Sequence, residues 1–219
     1  MIYTVICKYE SRDCSIWQSL SGIPENIASH IKNGRSEKTR KERALVYSAL
    51  SVALKELFLI DSFTLLHTKD GKPYLECENK NPPRINISHS HSVAAVSLSD
   101  EGEVGVDIER RGDGERIKRL CERFFPGAKL ENSDLNIRYL LFSLSDGCAH
   151  SLTELDEQSF MAEELDVSLW TCCEAIMKCD GRGFGAAGKI SKLVSTHKTE
   201  TKTIKIDEEI FSVSTAKEK

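Results

Sequence analysis

The chain has 219 residues and a formal net charge of −4; 40% of the residues are hydrophobic and 29% are charged. These values are typical of a globular protein with one large domain or two small ones, and they give no general case for nucleic-acid binding. No apolar run reaches the roughly 20 residues that a membrane-spanning helix needs, and the eight cysteines form no CxxC pair. We therefore expect reduced thiols, a cytoplasmic location and no membrane partner.

The first half of the chain is predicted to run from a strand through a helix to several further strands. Residues 2–8 alternate as a strand does, and the loop-rich stretch 24–34 has room for a short helix. The clearest helix is predicted from Ser36, a suitable N-cap, to about Leu59, because this stretch lacks Gly and Pro. Strands are predicted at 63–67, 74–77, 85–88 and 93–98, and a turn at 100–102 leads into a strand that ends at Glu109.

The second half loosely repeats this order. Helices are predicted at about 114–125 and 168–179, the second ending at the glycine-containing run 180–183. Between them, residues 128–165 show only weak periodicity. Three strands are predicted near 189–195, 201–206 and 209–214. Helices and strands are thus mixed in both parts of the chain, residues 1–103 and 104–219.

The run Gly105-Val106-Asp107-Ile108-Glu109 places two carboxylates inside an apolar strand pattern. A strand repeats every two residues, so Asp107 and Glu109 project from one face and Val106 and Ile108 from the other. Two like charges on one face repel unless a cation lies between them, and hard carboxylate oxygens suit Mg²⁺ or Mn²⁺. The alternative is a solvated strand end that runs into Arg110 and Arg111.

Two further groups of residues carry potential chemistry. Glu174 and Lys178 stand at i and i+4 of the helix at 168–179; they form either an exposed ion pair or, since that helix is apolar nearly all round, buried groups that need a partner or a metal. His89 and His91 lie in a serine-rich run. They suit a transition-metal site, a phosphate or oxyanion site, or a structural role.

The sequence also contains two basic runs. Each is either a solvated helix face or a surface that binds phosphate or an acidic partner. The first comprises Arg35, Lys38, Arg40, Lys41 and Arg43, and the second Arg110, Arg111, Arg116, Lys118, Arg119 and Arg123.

Taken together and in this order, the motifs resemble those of the 4′-phosphopantetheinyl transferases, in particular the two-repeat type that activates surfactin and other peptide synthetases. The matching runs are Gly71-Lys72-Pro73-Tyr74-Leu75, Asn86-Ile87-Ser88-His89-Ser90, Gly105-Val106-Asp107-Ile108-Glu109 and Trp170 through Lys178. The resemblance covers residues 36 to 184.

The resemblance implies a fold of two similar α+β halves packed about a pseudo-twofold, in a monomer, with coenzyme A in the cleft between them. It implies transfer of the phosphopantetheine arm of coenzyme A to a serine of an acyl or peptidyl carrier protein, with release of adenosine 3′,5′-bisphosphate. Mg²⁺, or Mn²⁺, is expected on Asp107, Glu109 and Glu174. The expected catalytic residues are Glu174 and Lys178, and the expected coenzyme A ligands are Lys38, Arg43, Lys72, Pro73, Ser88 and His89.

The sequence departs from the family pattern at Cys173, where the last motif has a lysine, and in the long segment 128–165. Two alternative functions remain open on the sequence. One is a metal-dependent hydrolase that uses His89, His91, Asp107 and Glu109. The other is a coenzyme A or carrier-binding module without turnover, for which Cys173 is the only motivation.

Overall fold

The computed structural model describes residues 1–10, 23, 25–78, 81–129, 132–145, 151–156, 159–161 and 165–219. Within these ranges the helices are α1 (Glu25–Lys32), α2 (Glu37–Phe58), α3 (Gly114–Phe124), α4 (Leu165–Asp180) and α5 (Ile190–Thr196). The strands are β1 (Ile2–Tyr9), β2 (Thr64–His67), β3 (Pro73–Glu76), β4 (Arg84–Ser90), β5 (Val93–Ser99), β6 (Val104–Arg110), β7 (Ile137–Leu144), β8 (Thr153–Glu154), β9 (Phe160–Met161), β10 (His197–Ile206) and β11 (Glu209–Glu218). The chain therefore has the mixed α+β fold that the sequence predicts.

The strands form two larger sheets and a small hairpin. The first sheet has the order β4-β5-β1-β7-β8, the second β6-β11-β10-β9, and β2 pairs with β3. Each larger sheet contains a hairpin with a two-residue turn. In the first sheet the hairpin is β4–β5, and β5 pairs with β1 in antiparallel orientation. In the second sheet it is β10–β11, and β11 pairs with β6 in the same way. The first residue of each turn, His91 or Asp207, has a positive φ, of 57° and 53°.

Helix α2 confirms the clearest helix prediction. The Ser36 side chain accepts the backbone N–H of Thr39 at 3.1 Å, which satisfies one of the unpaired amides of the first turn. The helix ends at Leu59, whose φ of 56° lies in the left-handed region. Its buried residues run from Ala44 to Leu54 and pack against the first sheet in a cluster that includes Val5 and Val96. The basic first turns lie at the surface, as the sequence predicts.

Strand β6 is covered on both faces, and this positions the carboxylates. Val106 and Ile108 are fully buried in a cluster with Ile6 and Val93. On the opposite face Gly105 contacts α4, because a Cβ built on it would lie only 2.0 Å from the carbonyl oxygen of Ala175. The glycine lets the helix approach the strand backbone directly. Asp107, two residues further on, therefore also faces α4.

Two sequence predictions differ from the structure. Residues 189–195, predicted as a strand, belong to a 3₁₀ turn and α5, where Ile190 and Leu193 are buried at helical spacing. Within the weakly periodic segment 128–165 the structure contains β7, which pairs in parallel with β1 along eight residues. Other parts of that segment, at 130–131, 146–150, 157–158 and 162–164, lie outside the described residues. Among the described residues no helix is long and apolar enough to cross a membrane.

Candidate active site

Asp107 is the centre of a polar cluster between β4, β6 and α4. The Asp107 side chain is only 1% exposed, and its Oδ1 accepts hydrogen bonds from the Ser88 hydroxyl at 2.7 Å and the Lys178 ammonium at 2.6 Å. Lys178 also donates to the Ser88 oxygen at 2.8 Å. A buried carboxylate needs a cation or several donors, so Lys178 is the group that compensates Asp107 here.

Glu174 lies one turn before Lys178 on α4 and joins this cluster. Burial raises the pKa of the Glu174 carboxyl from its ordinary 4.5 to about 8, helped by the negative charges of Asp107 and Glu109 and opposed by Lys178. The closeness of the two carboxyls therefore favours keeping a proton on one of them. Glu174 and Lys178 are thus not an isolated surface pair.

The second carboxylate of β6 is held by a serine that the sequence reasoning did not single out. The Ser90 hydroxyl donates to Glu109 Oε2 at 3.0 Å and accepts the backbone N–H of Arg110 at 3.2 Å. Asn86 Oδ1 accepts the backbone N–H of Val106 at 3.1 Å in the same way. The signal for these residues was present in the sequence, because positions 86, 88 and 90 share one face of a strand.

The three predicted metal ligands are brought near one another, but they do not form a preformed metal site. Within the described ranges, no three His, Cys, Asp or Glu side chains are arranged as a metal-binding group. The chemistry of the three carboxylates nevertheless suits a hard cation. Asp107 Oδ2 is buried and has no hydrogen-bond donor among the described residues, which leaves one oxygen available to such an ion.

Lys72 and Pro73 line a small pocket beside the cluster. Its volume is about 180 Å³, and Lys178, Gly181 and Gly183 are also in its wall. The Lys72 ammonium donates to the carbonyl of Cys179 at 2.5 Å and pairs with Glu103 at 2.5 Å. Lysine is a favourable partner for the last carbonyls of a helix, so Lys72 connects the β2–β3 turn to the C-terminal end of α4.

His89 and Lys38 line a separate, larger groove of about 910 Å³, which His91 also lines. His89 Nε2 is 3.7 Å from Glu42, and the Lys38 side chain is 81% exposed, with its ammonium 3.8 Å from Glu42. Arg43 is not in the groove wall; it donates to the backbone carbonyl of His30 at 2.9 Å. Because Ser88 and His89 are adjacent in a strand, they face opposite sides.

Within the described residues, the four residues of the alternative hydrolase likewise form no preformed metal site. His89 and His91 lie in the groove, and the described residues contain no metal-binding group that joins them to Asp107 and Glu109.

Cys173, the departure from the family motif, is a core residue. Its side chain is 0% exposed and packs in a cluster that contains Cys121 and Trp170. Burial raises the pKa of its thiol well above the ordinary value of 9.0, so the group is a neutral, unreactive thiol at physiological pH. In this chain, with Cys173 in place of the motif lysine, Lys178 contacts Asp107.

Comparisons with known proteins identify the family. No protein-family model matches the chain. The chain is 30% identical over 183 residues to the 4′-phosphopantetheinyl transferase AcpT of Escherichia coli strain K12, a match that covers 82% of this chain and 74% of AcpT. AcpT of Escherichia coli O157:H7 gives the same figures. A match of 27% identity over 113 residues links 52% of the chain to 37% of slr0495 from Synechocystis, whose name assigns it to the same family.

A buried carboxylate, a carboxyl of raised pKa and a helix lysine stand together here, and perturbed groups of this kind are typical of enzyme active sites. The similarity to AcpT over most of both chains makes the assignment specific: the chain belongs to the 4′-phosphopantetheinyl transferase family.

Proposed function

We propose that this protein transfers the 4′-phosphopantetheine group of coenzyme A to a serine of an acyl or peptidyl carrier protein and releases adenosine 3′,5′-bisphosphate. The observation that carries the proposal is the 2.6 Å contact of Asp107 with Lys178, which joins residues from two motifs that lie 71 positions apart. Family membership, shown by AcpT, restricts the chemistry to phosphopantetheine transfer.

The proposal includes two similar halves, residues 1–103 and 104–219, that form the complete site within a monomer. The equivalent strand orders β4-β5-β1 and β10-β11-β6 support it. So do the two-residue turns that begin at His91 and Asp207, both of which line the large groove. In this arrangement β7 and β8 are an addition that the second half contributes to the first sheet.

Coenzyme A would lie along the junction of the two halves. Lys72 and Pro73 would contact its nucleotide end, since they line the small pocket beside Lys178. Ser88 would orient the phosphates through Lys178. His89 and Lys38 would meet the ligand from the larger groove, and Arg43, which lies outside that groove, would need to leave the carbonyl of His30 to take part.

Asp107, Glu109 and Glu174 would hold Mg²⁺, or Mn²⁺, when it is bound. The ion would supply positive charge for the pyrophosphate oxygens of coenzyme A, as metals generally do in phosphoryl transfer. The buried Oδ2 of Asp107, which has no donor among the described residues, supports this assignment. In the absence of the ion, Lys178 provides the positive charge that Asp107 requires.

The remaining chemistry belongs to the side chains of α4. Glu174 would accept the proton of the carrier serine, since its carboxylate is part of the cluster that Asp107 and Lys178 form at the face of α4. The serine oxygen then forms a bond to the β-phosphorus of coenzyme A, and the bond from that phosphorus to the bridging oxygen breaks. Lys178 would stabilise the negative charge on the departing adenosine 3′,5′-bisphosphate.

The carrier protein would approach from a basic surface. Four cationic side chains of α3 are exposed: Arg116, Lys118, Arg119 and Arg123. Because α3 directly follows the strand of Asp107 and Glu109, an acidic carrier bound there would be close to the proposed site. Charge complementarity of this kind mainly speeds encounter and selects the partner.

The test is to mix the protein with coenzyme A, Mg²⁺ and a panel of apo-carriers and to weigh each carrier by mass spectrometry. A gain of one phosphopantetheine group on at least one carrier, with release of adenosine 3′,5′-bisphosphate, is the expected result. No mass gain on any carrier, with the protein shown to be folded, would count against the proposed function.

A further inference from the structure

Ser90 has three hydrogen-bond partners, and they favour one direction for its proton. Its hydroxyl lies within hydrogen-bond distance of Glu109 Oε2 at 3.0 Å, the Arg110 backbone N–H at 3.2 Å and His91 Nδ1 at 3.2 Å. A hydroxyl has one proton to donate and two lone pairs that accept. The amide of Arg110 can only donate and an ionised Glu109 can only accept, so the proton of Ser90 points to Glu109.

His91 can bond to the same oxygen as a donor, in the tautomer that carries its proton on Nδ1. With the hydroxyl proton directed to Glu109, the remaining lone pair of the Ser90 oxygen is left for His91, whose Nδ1 must carry a proton to bond with it. A hydrogen bond to an ionised acceptor is the stronger type, which favours this direction over the reverse one. Ser90 is 6% exposed, so its three contacts are shielded from competing water.

We propose that Ser90 is a positioning residue for Glu109, with its proton directed to the carboxylate by the amide of Arg110 and the ring of His91. The hydroxyl holds Oε2 of Glu109 and so fixes the orientation of the carboxylate group. This inference rests on the proposed function, because it concerns the carboxylate that we assign to the metal. It gives His91, which has no family role, a function that does not require metal binding by its ring.

The arrangement is distinct from the contact that Ser88 makes. The Ser88 hydroxyl is shared between a carboxylate and the Lys178 ammonium, so Asp107 has a cation as well as a donor. Glu109 receives its side-chain hydroxyl bond from Ser90 at the edge where β4 and β6 meet. Removing that hydroxyl should therefore alter the orientation of Glu109 while leaving the Asp107 contacts in place.

The test compares Ser90→Ala and Ser90→Thr with the wild-type protein. Mn²⁺ binding, in the presence of saturating coenzyme A, is measured by electron paramagnetic resonance, and the thermal midpoint is recorded in the same buffer. Ser62→Ala is the matched control, since it is the same substitution at an exposed position that lines neither the groove nor the small pocket. Loss of a hydrogen bond to a metal-binding carboxylate typically weakens metal affinity about 10- to 100-fold.

We expect Ser90→Ala to bind Mn²⁺ at least about tenfold more weakly. Ser90→Thr should remain close to wild type because it keeps the hydroxyl, and Ser62→Ala should be unchanged. Transfer by Ser90→Ala should recover at high Mn²⁺, so that the metal requirement changes more than the limiting rate. If Ser90→Ala does not fold, Ser90→Cys, which keeps the volume with a weaker donor, takes its place with the same expectation.

Two results would overturn the inference. One is wild-type Mn²⁺ affinity in Ser90→Ala together with a lower thermal midpoint, which would make Ser90 a structural residue only and leave the proposed function intact. The other is a wild-type protein that binds no Mn²⁺ in the presence of coenzyme A. That result removes the metal from the proposed function and the positioning role with it.

Discussion

The approach of α4 to β6 at Gly105 is the packing feature on which the proposed site most depends. A Cβ at this position would lie 2.0 Å from the carbonyl oxygen of Ala175, 2.4 Å from the backbone nitrogen of Cys179 and 2.9 Å from its Cα. All three are backbone atoms, which cannot turn aside as a flexible side chain can. Gly105→Ala therefore requires the whole helix to move.

The required movement can be worked out from these distances. Ordinary contact begins near 3.4 Å, so α4 must retreat by about 1.4 Å at Ala175. Glu174 and Lys178 are on this helix and would retreat with it, and the 2.6 Å contact of Lys178 with Asp107 would be lost or stretched. Overpacking of this kind costs about 1–3 kcal/mol, and a misplacement of about 1 Å in an active site can lower the rate about 100-fold.

We expect Gly105→Ala to lower the single-turnover transfer rate about 100-fold and the free energy of unfolding in urea by about 1–3 kcal/mol. The matched control is Gly188→Ala, because a Cβ at Gly188 meets no atom within 4 Å; its stability should stay within about 0.5 kcal/mol of wild type. A Gly105→Ala protein with the rate and stability of wild type would refute the reasoning.

Three further predictions concern single side chains of α4. Lys178→Met leaves the buried Asp107 without its cation and should lower the free energy of unfolding by about 3–5 kcal/mol, whereas Lys205→Met, in an exposed pair, should cost at most about 1 kcal/mol. The Glu174 pKa is raised from 4.5 to about 8, so the contribution of this carboxyl to the stability of the metal-free protein is full below pH 4.5 and is lost as pH rises through 8. Between pH 5 and 9, Glu174→Gln should therefore lose less stability than the wild type does, the difference being a few kcal/mol and at most about 5. Cys173→Lys restores the family motif but places a cation in the core, and it should cost about 3–5 kcal/mol without raising the transfer rate.

Each of these is measured by urea unfolding, with the Glu174 comparison repeated across pH in EDTA. Equal losses of unfolding free energy in Lys178→Met and Lys205→Met would show that the buried Asp107 carboxylate does not need the Lys178 cation. Parallel pH profiles for wild type and Glu174→Gln would contradict the raised pKa. A stable, faster Cys173→Lys protein would show that the motif lysine has a role which the buried position does not reveal.

The parts of the fold that sequence predicts well are those set by local signals. The α2 helix follows from its N-cap at Ser36 and its lack of Gly and Pro. By contrast, β7 was not predicted, because its buried face is defined by β1, more than a hundred positions earlier in the chain. The helix α5 was predicted as a strand, although Ile190 and Leu193 have helical spacing; the β-branched residues around them favoured the wrong choice.

In the candidate site, too, the sequence predicted what local signals determine and missed what packing determines. The motif resemblance brought Asp107, Glu174 and Lys178 together, and the structure places them in contact or close to it. It also grouped Ser88 with His89, whereas the alternation of β4 turns only Ser88 towards Asp107 and leaves His89 in the groove. Which neighbours a side chain meets depends on how β4 and β6 are placed against each other, and that arrangement is not encoded in either strand alone.

The most direct test of the account compares the wild-type protein with Glu174→Gln in the intact-mass assay, using a carrier that the wild type modifies. Glutamine keeps the shape of the side chain but cannot take up the serine proton or bind the cation as a carboxylate. We predict addition of one phosphopantetheine group by the wild type and a transfer rate at least about 100-fold lower for the folded variant. Equal rates for the two proteins would contradict the assignment of this cluster as the active site.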